Sequence, residues 1–281
     1  MKRFVALAGL FFFLFVSVSS AIAEEVKTYN TGLTISEDAT TDENGLIVLN
    51  GLFSITTFKK FPGVDNFKIY SRWIGSGKHS IKVQVVDSDN KIIMDSDDVA
   101  LEFDKENSTY YQYFDFNNIV FIKPGIYWVQ ALLDNKVVFG IPLFVEPSDE
   151  ELEFENAPEL PNLILSVPAG SVTEKENGLQ IISGIFEYFI FKRFPSAYDF
   201  IIANIWHSGD GEFSQYIELL DPDGNIIYKS EPKSFENGPK TVNVVYDELE
   251  DIIFYKAGTY KVNVYLNDKL TFDYPILVVQ Q

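Results

Sequence analysis

The chain contains no cysteine in 281 residues, only two histidines and only three arginines. The missing thiol excludes thiol catalysis, thiolate-ligated zinc, iron–sulfur clusters, disulfides and a lipidated N-terminal cysteine. Arg3, Arg72 and Arg193 are too few and too scattered to form bidentate clamps on phosphate or carboxylate groups. Positive charge is scarce in general, with 22 basic against 41 acidic residues and a net charge of −19. Such a chain repels nucleic acid and anionic membrane surfaces, and favours solubility and cationic partners. Helical periodicity is absent too; Tyr246 to Ile252 could form one helical turn at most.

Catalytic patterns are also lacking. No nucleophile elbow is present, and His79 and His207 are 128 residues apart, so they do not align in the 133-residue repeat described next. Both histidines are expected in loops. Many carboxylate pairs are conceivable among 41 acids, but nothing singles one out for glycoside hydrolysis. Gly75-Ser76-Gly77-Lys78 has Arg72 where a phosphate loop needs its first glycine, so it reads as a turn. The expectation is a protein that is not an enzyme and holds no cofactor.

What is present is a duplication. Asn44 to Pro62 and Asn177 to Pro195 are identical at nine of nineteen positions. Lys123-Pro124-Gly125-Ile126-Tyr127 returns 133 residues later as Lys256-Ala257-Gly258-Thr259-Tyr260, and Phe139 and Pro142 return as Phe272 and Pro275. A copy at constant offset means two domains of one fold in tandem. The expected boundaries are repeat one at 24–147, an acidic linker at 148–157 and repeat two at 158–281, each repeat with its own core. Glu146 to Asn162 holds seven acidic residues and three prolines, the composition of an exposed spacer.

Ahead of the repeats, Lys2 and Arg3, an apolar run from Val5 to Val18 and Ala21-Ile22-Ala23 read as a signal peptide at 1–23, cleaved before Glu24. Cleavage would leave 20 basic and 41 acidic residues, a net −21, in a secreted or periplasmic chain with no transmembrane segment.

Within each repeat the hydrophobic period is two. Phe67, Ile69, Ser71 and Trp73 alternate with Lys68, Tyr70 and Arg72, which reads as a strand with one buried face. Turn residues recur about every ten positions, as at Asp89-Asn90, Asp134-Asn135, Asp223-Gly224 and Asn267-Asp268. The expected fold is all-β: two tandem antiparallel β-sandwiches, immunoglobulin-like or C2-like, after the signal peptide. Phe58 to Pro62 and Phe191 to Pro195 should each end a strand and send the chain to the other sheet. Gly51 and Gly184, inside strand-like runs, suggest bulges.

Asn177-Gly178, Gly184, Phe186, Phe194-Pro195, Asp221 to Gly224, Gly258, Tyr260 and Pro275, with counterparts in repeat one, resemble a family of small bacterial domains of unknown function. The resemblance implies a β-sandwich and no activity. Members of that family look single and cytoplasmic, so duplication and a secretion signal are departures.

Two ligand sites are suggested. Asp221, Asp223 and Asn225 place oxygens at alternate loop positions, as calcium requires, and Asp87-Ser88-Asp89-Asn90 is the counterpart. A hairpin turn explains the same residues. Trp128 replaces an outward lysine, Lys261, and so is a candidate for sugar stacking, whereas Trp73 and Trp206 have the pattern of core residues. The resulting expectation is a non-enzymatic binding or structural module whose partner is a protein or envelope component and not nucleic acid. The alternative is a calcium- or carbohydrate-binding accessory module of the cell envelope.

Overall fold

The structure is a computed structural model describing residues 29–149 and 158–281, the side chains of 29–31 and 104–107 excepted. The expected signal peptide and residues 150–157 of the expected linker lie outside it.

Nineteen strands and no helix make up the described residues. Repeat one holds β1 (Tyr29–Thr41), β2 (Ile47–Leu52), β3 (Ile55–Phe58), β4 (Gly63–Val86), β5 (Ile92–Asp95), β6 (Val99–Phe121), β7 (Gly125–Leu133) and β8 (Lys136–Pro147). Repeat two begins with β9 (Asn162–Ala169), β10 (Ser171–Glu174), β11 (Gln180–Ile185), β12 (Tyr188–Phe191) and β13 (Ser196–His207). It continues with β14 (Gly211–Leu220), β15 (Ile226–Lys229), β16 (Lys233–Asn237), β17 (Val242–Phe254), β18 (Gly258–Leu266) and β19 (Lys269–Gln280). The turn suspected at Tyr246 to Ile252 is thus part of β17, because Asp247, Leu249 and Ile252 all turn inward along an extended strand.

Each repeat folds as sandwich-like sheets. In repeat one the outer sheet runs β3-β8-β7-β4-β5. In repeat two it runs β12-β19-β18-β14-β15, with β16 also on β14. The Phe-Pro segments carry the chain from β3 to β4 and from β12 to β13, as their prolines predict, and both X–Pro bonds are cis. The repeated tyrosines have one job: Tyr127 donates its hydroxyl to Lys123 O at 3.0 Å, and Tyr260 to Lys256 O at 3.1 Å. Each ties the start of a core strand back to the turn before it.

The repeats are joined edge to edge. One antiparallel sheet runs β17-β13-β9-β1-β4-β6 across both, and a second runs β10-β11-β2-β1. At the joints Gly32 faces Leu165 and Leu49 faces Ile182, and each pair is separated by the repeat offset of 133. Positions made equivalent by the duplication therefore oppose one another, the defining property of an isologous two-fold interface. Gly51 and Gly184 form bulges on either side of this local axis, with φ of +72° and +71°. Gly32 is matched to the axis in another way: a Cβ there would lie 2.2 Å from Leu165 Cδ1.

This joint changes two expectations. The core of repeat one includes Leu165, Val167, Ile182 and Ala203 of repeat two, so the repeats do not have fully separate cores. Nor does β4 have a single buried face. Tyr70 and Arg72 are fully buried with Ile69 and Trp73, because repeat two covers the face that a lone sandwich would expose to water. Gly75-Ser76-Gly77 is not a turn either. It is a bulge within the 24 residues of β4, with Gly77 at φ +85°, whereas repeat two breaks the same strand between His207 and Gly211.

Cutting the chain at a protease site inserted within residues 150–157 should therefore leave the halves associated. Size-exclusion chromatography at micromolar concentration should show one 1:1 species. Separation of the fragments without denaturant would show that covalent tethering, not the shared sheets, holds the halves together.

Candidate functional site

The seam between the repeats is locked differently at its two ends. At one end Arg72 of β4 places Nε 3.0 Å from Glu187 Oε2 and 3.3 Å from Oε1, with neither side chain reached by more than traces of solvent. The guanidinium lies 4.7 Å from the centre of the Tyr274 ring, and Tyr70 OH lies 3.5 Å from Glu187 Oε1. Burial pushes Tyr274 up to about 12 and raises Tyr70 well above an ordinary phenol. Burial also pushes the Glu187 carboxyl up, against the opposing pull of Arg72. The same burial lowers Arg72, but Glu187, Tyr274 and Tyr70 outweigh it and hold the guanidinium raised. With Nε within reach of both carboxylate oxygens, the pair has the geometry of a charge-assisted hydrogen bond.

At the other end the equivalents of Arg72, Glu187 and Tyr274 are Ile205, Ser54 and Ile141. Here His207 stacks on Phe144 at 5.9 Å and 9°, and its Nδ1 lies 2.6 Å from Ser208 Oγ. Burial holds its imidazole down to about 4. Lys240 Nζ donates to Glu146 Oε1 at 2.7 Å, and Ser54 Oγ donates to Lys240 O. His207 is thus the last residue of β13 and a seam residue, and His79 lies within β4, its Nδ1 2.8 Å from Asp134 Oδ2. Neither is in a loop, because each strand extends further than its turn signals suggested.

The aspartate loops are drawn into their own turns. Asp221 Oδ1 accepts from the backbone N–H groups of Asp223 at 2.9 Å and Asn225 at 2.8 Å, and Asn225 Nδ2 reaches Oδ2 at 3.0 Å. These bonds, the Asn225 side chain first, hold the Asp221 carboxyl below its ordinary range. Asp223 Oδ2 is 2.5 Å from Lys256 Nζ. The counterpart Asp87 likewise caps Asp89 and Lys91 backbone N–H groups. Asp221 is thus engaged by its own turn and Asp223 by Lys256. Among the described residues no group of three or more acidic or histidine side chains is placed to hold a metal. Trp128 is 38% exposed on the outer face of β7, against Gly140 of the neighbouring strand. Trp73 and Trp206 are fully buried.

Sequence reasoning missed a polar cluster in repeat two. Gln215, Lys233 and Asp247 occupy the positions of Ile81, Val99 and Phe114, as strand register shows: Gln215 opposes Leu266 and Lys233 as Ile81 opposes Leu133 and Val99, and Asp247 opposes Ile202 as Phe114 opposes Ile69. In repeat one the three are apolar and packed into the core. In repeat two Gln215 Nε2 donates to Asp247 Oδ2 at 3.2 Å, and Lys233 Nζ lies 3.5 Å from Asp247 Oδ1. Burial pushes Asp247 up, with Lys233 opposing. The available signal was a position-by-position comparison of the repeats for apolar residues that become charged. Beside this cluster, between β16 and β17, runs an open groove of about 530 Å³.

The sequence profile of one family, described as a family of unknown function (DUF6941), matches twice, at residues 32–146 and 165–279. No curated protein matches the chain. Among solved structures, the crystal structure of calcium-binding domain CBD12 of CALX1.1 aligns over 85% of this chain and 79% of its own, with 12% identity and a TM-score of 0.22. Red sea bream transglutaminase aligns over 92% of this chain with 8% identity and a TM-score of 0.23, and the aligned region spans 32% of the enzyme. Similarities at this level bear on neither fold nor activity.

Proposed function

We propose that this chain, which belongs to a family of unknown function (DUF6941) and carries its domain twice, is a non-enzymatic binding or structural module acting outside the cytoplasm. Each copy is read as an immunoglobulin-like or C2-like sandwich. The observation that carries the reading is where the most deeply enclosed perturbed groups of the seam sit. Tyr70, Arg72, Glu187, His207 and Tyr274 are all enclosed within the seam, where they join the repeats and meet no open cleft. Active sites perturb such groups where substrate reaches them. Asp247 is perturbed beside a groove, but it stands behind Lys233 with no solvent exposure. The groove favours a saccharide over calcium within the accessory-module alternative, since the carboxylates of the aspartate loops are taken up by their own turns.

The extracytoplasmic address rests on the basic, apolar and small-residue segments of residues 1–23. Among the described residues no helix is long and apolar enough to cross a membrane. Natively expressed protein should therefore have an intact mass beginning at Glu24 and appear in the periplasmic or extracellular fraction. A species retaining Met1 and sedimenting with membranes would overturn the address.

A further inference from the structure

Apart from the seam, the cluster of Gln215, Lys233 and Asp247 is a concerted departure of repeat two from repeat one. Three neighbouring apolar side chains have become an amide, an ammonium and a carboxylate. An ion pair with one partner exposed to water is worth little, and burying the other partner costs desolvation, so core stability alone gives little reason for the exchange. The geometry suggests another. Trp206 Nε1 donates to Gln215 Oε1 at 2.6 Å, and Gln215 donates on to Asp247. Asp247 in turn holds Lys233, whose ammonium donates to Tyr246 O at 2.6 Å and lies 5.5 Å from the centre of the Tyr246 ring. The relay begins in the core and ends on a fixed ammonium at the groove wall, with the Lys233 side chain 44% exposed.

The geometry points to this groove as a binding site for an uncharged saccharide segment. Its walls include Lys233, Ser234, Phe235, Asn243, Tyr246 and Glu248. Tyr246 is a half-buried ring that can meet the C–H face of a sugar, the usual amphipathic role of aromatics at wet sites, while Phe235, stacked on Trp206 at 5.8 Å, forms the apolar floor. Lys233 and Asn243 supply donors, Glu248 an acceptor, and Ser234 either, which suits a run of hydroxyls.

Charge disfavours anionic polymers, and backbone chemistry disfavours an added peptide strand. Asp247 cancels the charge of Lys233, while Glu248 and a net charge of −19 repel anionic polymers. An added peptide strand would need the outward carbonyls of β17. Tyr246 O is already held by Lys233, and Glu248 O accepts from Tyr228 OH at 2.9 Å. This inference rests on the binding-module reading, but it is tested on purified protein. Its failure would leave the address and the absence of catalysis to be judged by their own measurements.

The test is a glycan array of uncharged, amino-bearing and acidic oligosaccharides probed with the mature chain, followed by calorimetric titration of the best uncharged hit. The decisive variant carries Gln215→Ile, Lys233→Val and Asp247→Phe together, restoring the residues of repeat one so that the core still has a packing solution. It should keep or raise its Tm and bind at least tenfold more weakly. Trp128→Ala, on the far sandwich, should bind as the parent does. Retention of no glycan, retention of acidic glycans only, undiminished binding by the triple variant, or loss of binding with Trp128→Ala would each overturn the proposal. Displacement of the bound glycan by an extended basic peptide, with direct binding of that peptide, would do so in favour of a peptide site.

Discussion

Glu187→Leu should lower the unfolding free energy by about 3–5 kcal/mol, the usual result of removing one partner from a buried ion pair. The size of the loss follows from what remains. Arg72 would keep its charge, since a guanidinium does not deprotonate in proteins, and it lies in a site with no measurable solvent access. Ser166 O, 3.5 Å from Nη1, and the face of Tyr274 stay beside it, but neither carries the formal charge of the lost carboxylate. Arg72→Met combined with Glu187→Leu should recover most of that loss, because no charge is left uncompensated and the volume is roughly kept. Urea unfolding of the parent, the single and the double variant measures all three. A single-variant loss under 1 kcal/mol would mean that water reaches Arg72 and that the seam is open there. A double variant as damaged as the single would mean that packing, not charge, governs this end.

Acid should weaken the opposite end of the seam. The His207 imidazole has a folded value of about 4, depressed by burial, against 6.5 in an accessible chain. Between those values the unfolded chain binds a proton that the folded chain refuses. This contribution is therefore complete above about pH 6.5 and is lost as pH falls towards 4. A difference of about 2.5 units corresponds to roughly 3 kcal/mol. Glu187 and Asp247 act in the opposite sense, since burial raises both and protonation favours their folded forms as pH falls. The separable quantity is thus the difference between the parent and His207→Ile, which copies its counterpart Ile74, itself fully buried. Across pH 6.5 to 4 the parent should lose about 3 kcal/mol more than the variant. Parallel stability profiles would show that His207 is protonated in the folded protein and that its enclosure is not maintained.

The parts of this structure that were legible in the sequence are those in which one residue acts locally. Gly51 and Gly184 announced bulges because only glycine reaches their φ without strain, and Phe61-Pro62 announced a strand end because proline lacks the donor a ladder needs. Trp128 could be read as exposed from the lysine at its equivalent position. The seam was illegible for a physical reason. Alternation reveals that a strand has two faces but not what covers the second, and Arg72 in an outward register looks like any solvated arginine until repeat two is placed over it. Glu187 gave no local sign, because its partner lies 115 residues away. The groove cluster was hidden differently. Lys233 and Asp247 look like ordinary members of an acidic, strand-rich surface, and only their pairing with Val99 and Phe114 across the duplication makes them unusual.

The joining of β2 to β11 also sets a timetable. Leu49 must wait for a partner made 133 residues later. At a synthesis rate of about 5–20 residues per second, that interval is roughly 7–27 s. For that time the first copy has unpaired strand edges in β1 and β2, a period in which another nascent chain could be captured instead. Glu37, whose carboxylate lies over Gly51 of β2, places negative charge beside the waiting edge, where a second copy of the same acidic edge would be repelled. Lys175 of the second copy later meets Glu37 at 2.5 Å. The charge that guards the edge against the wrong partner thus greets the right one.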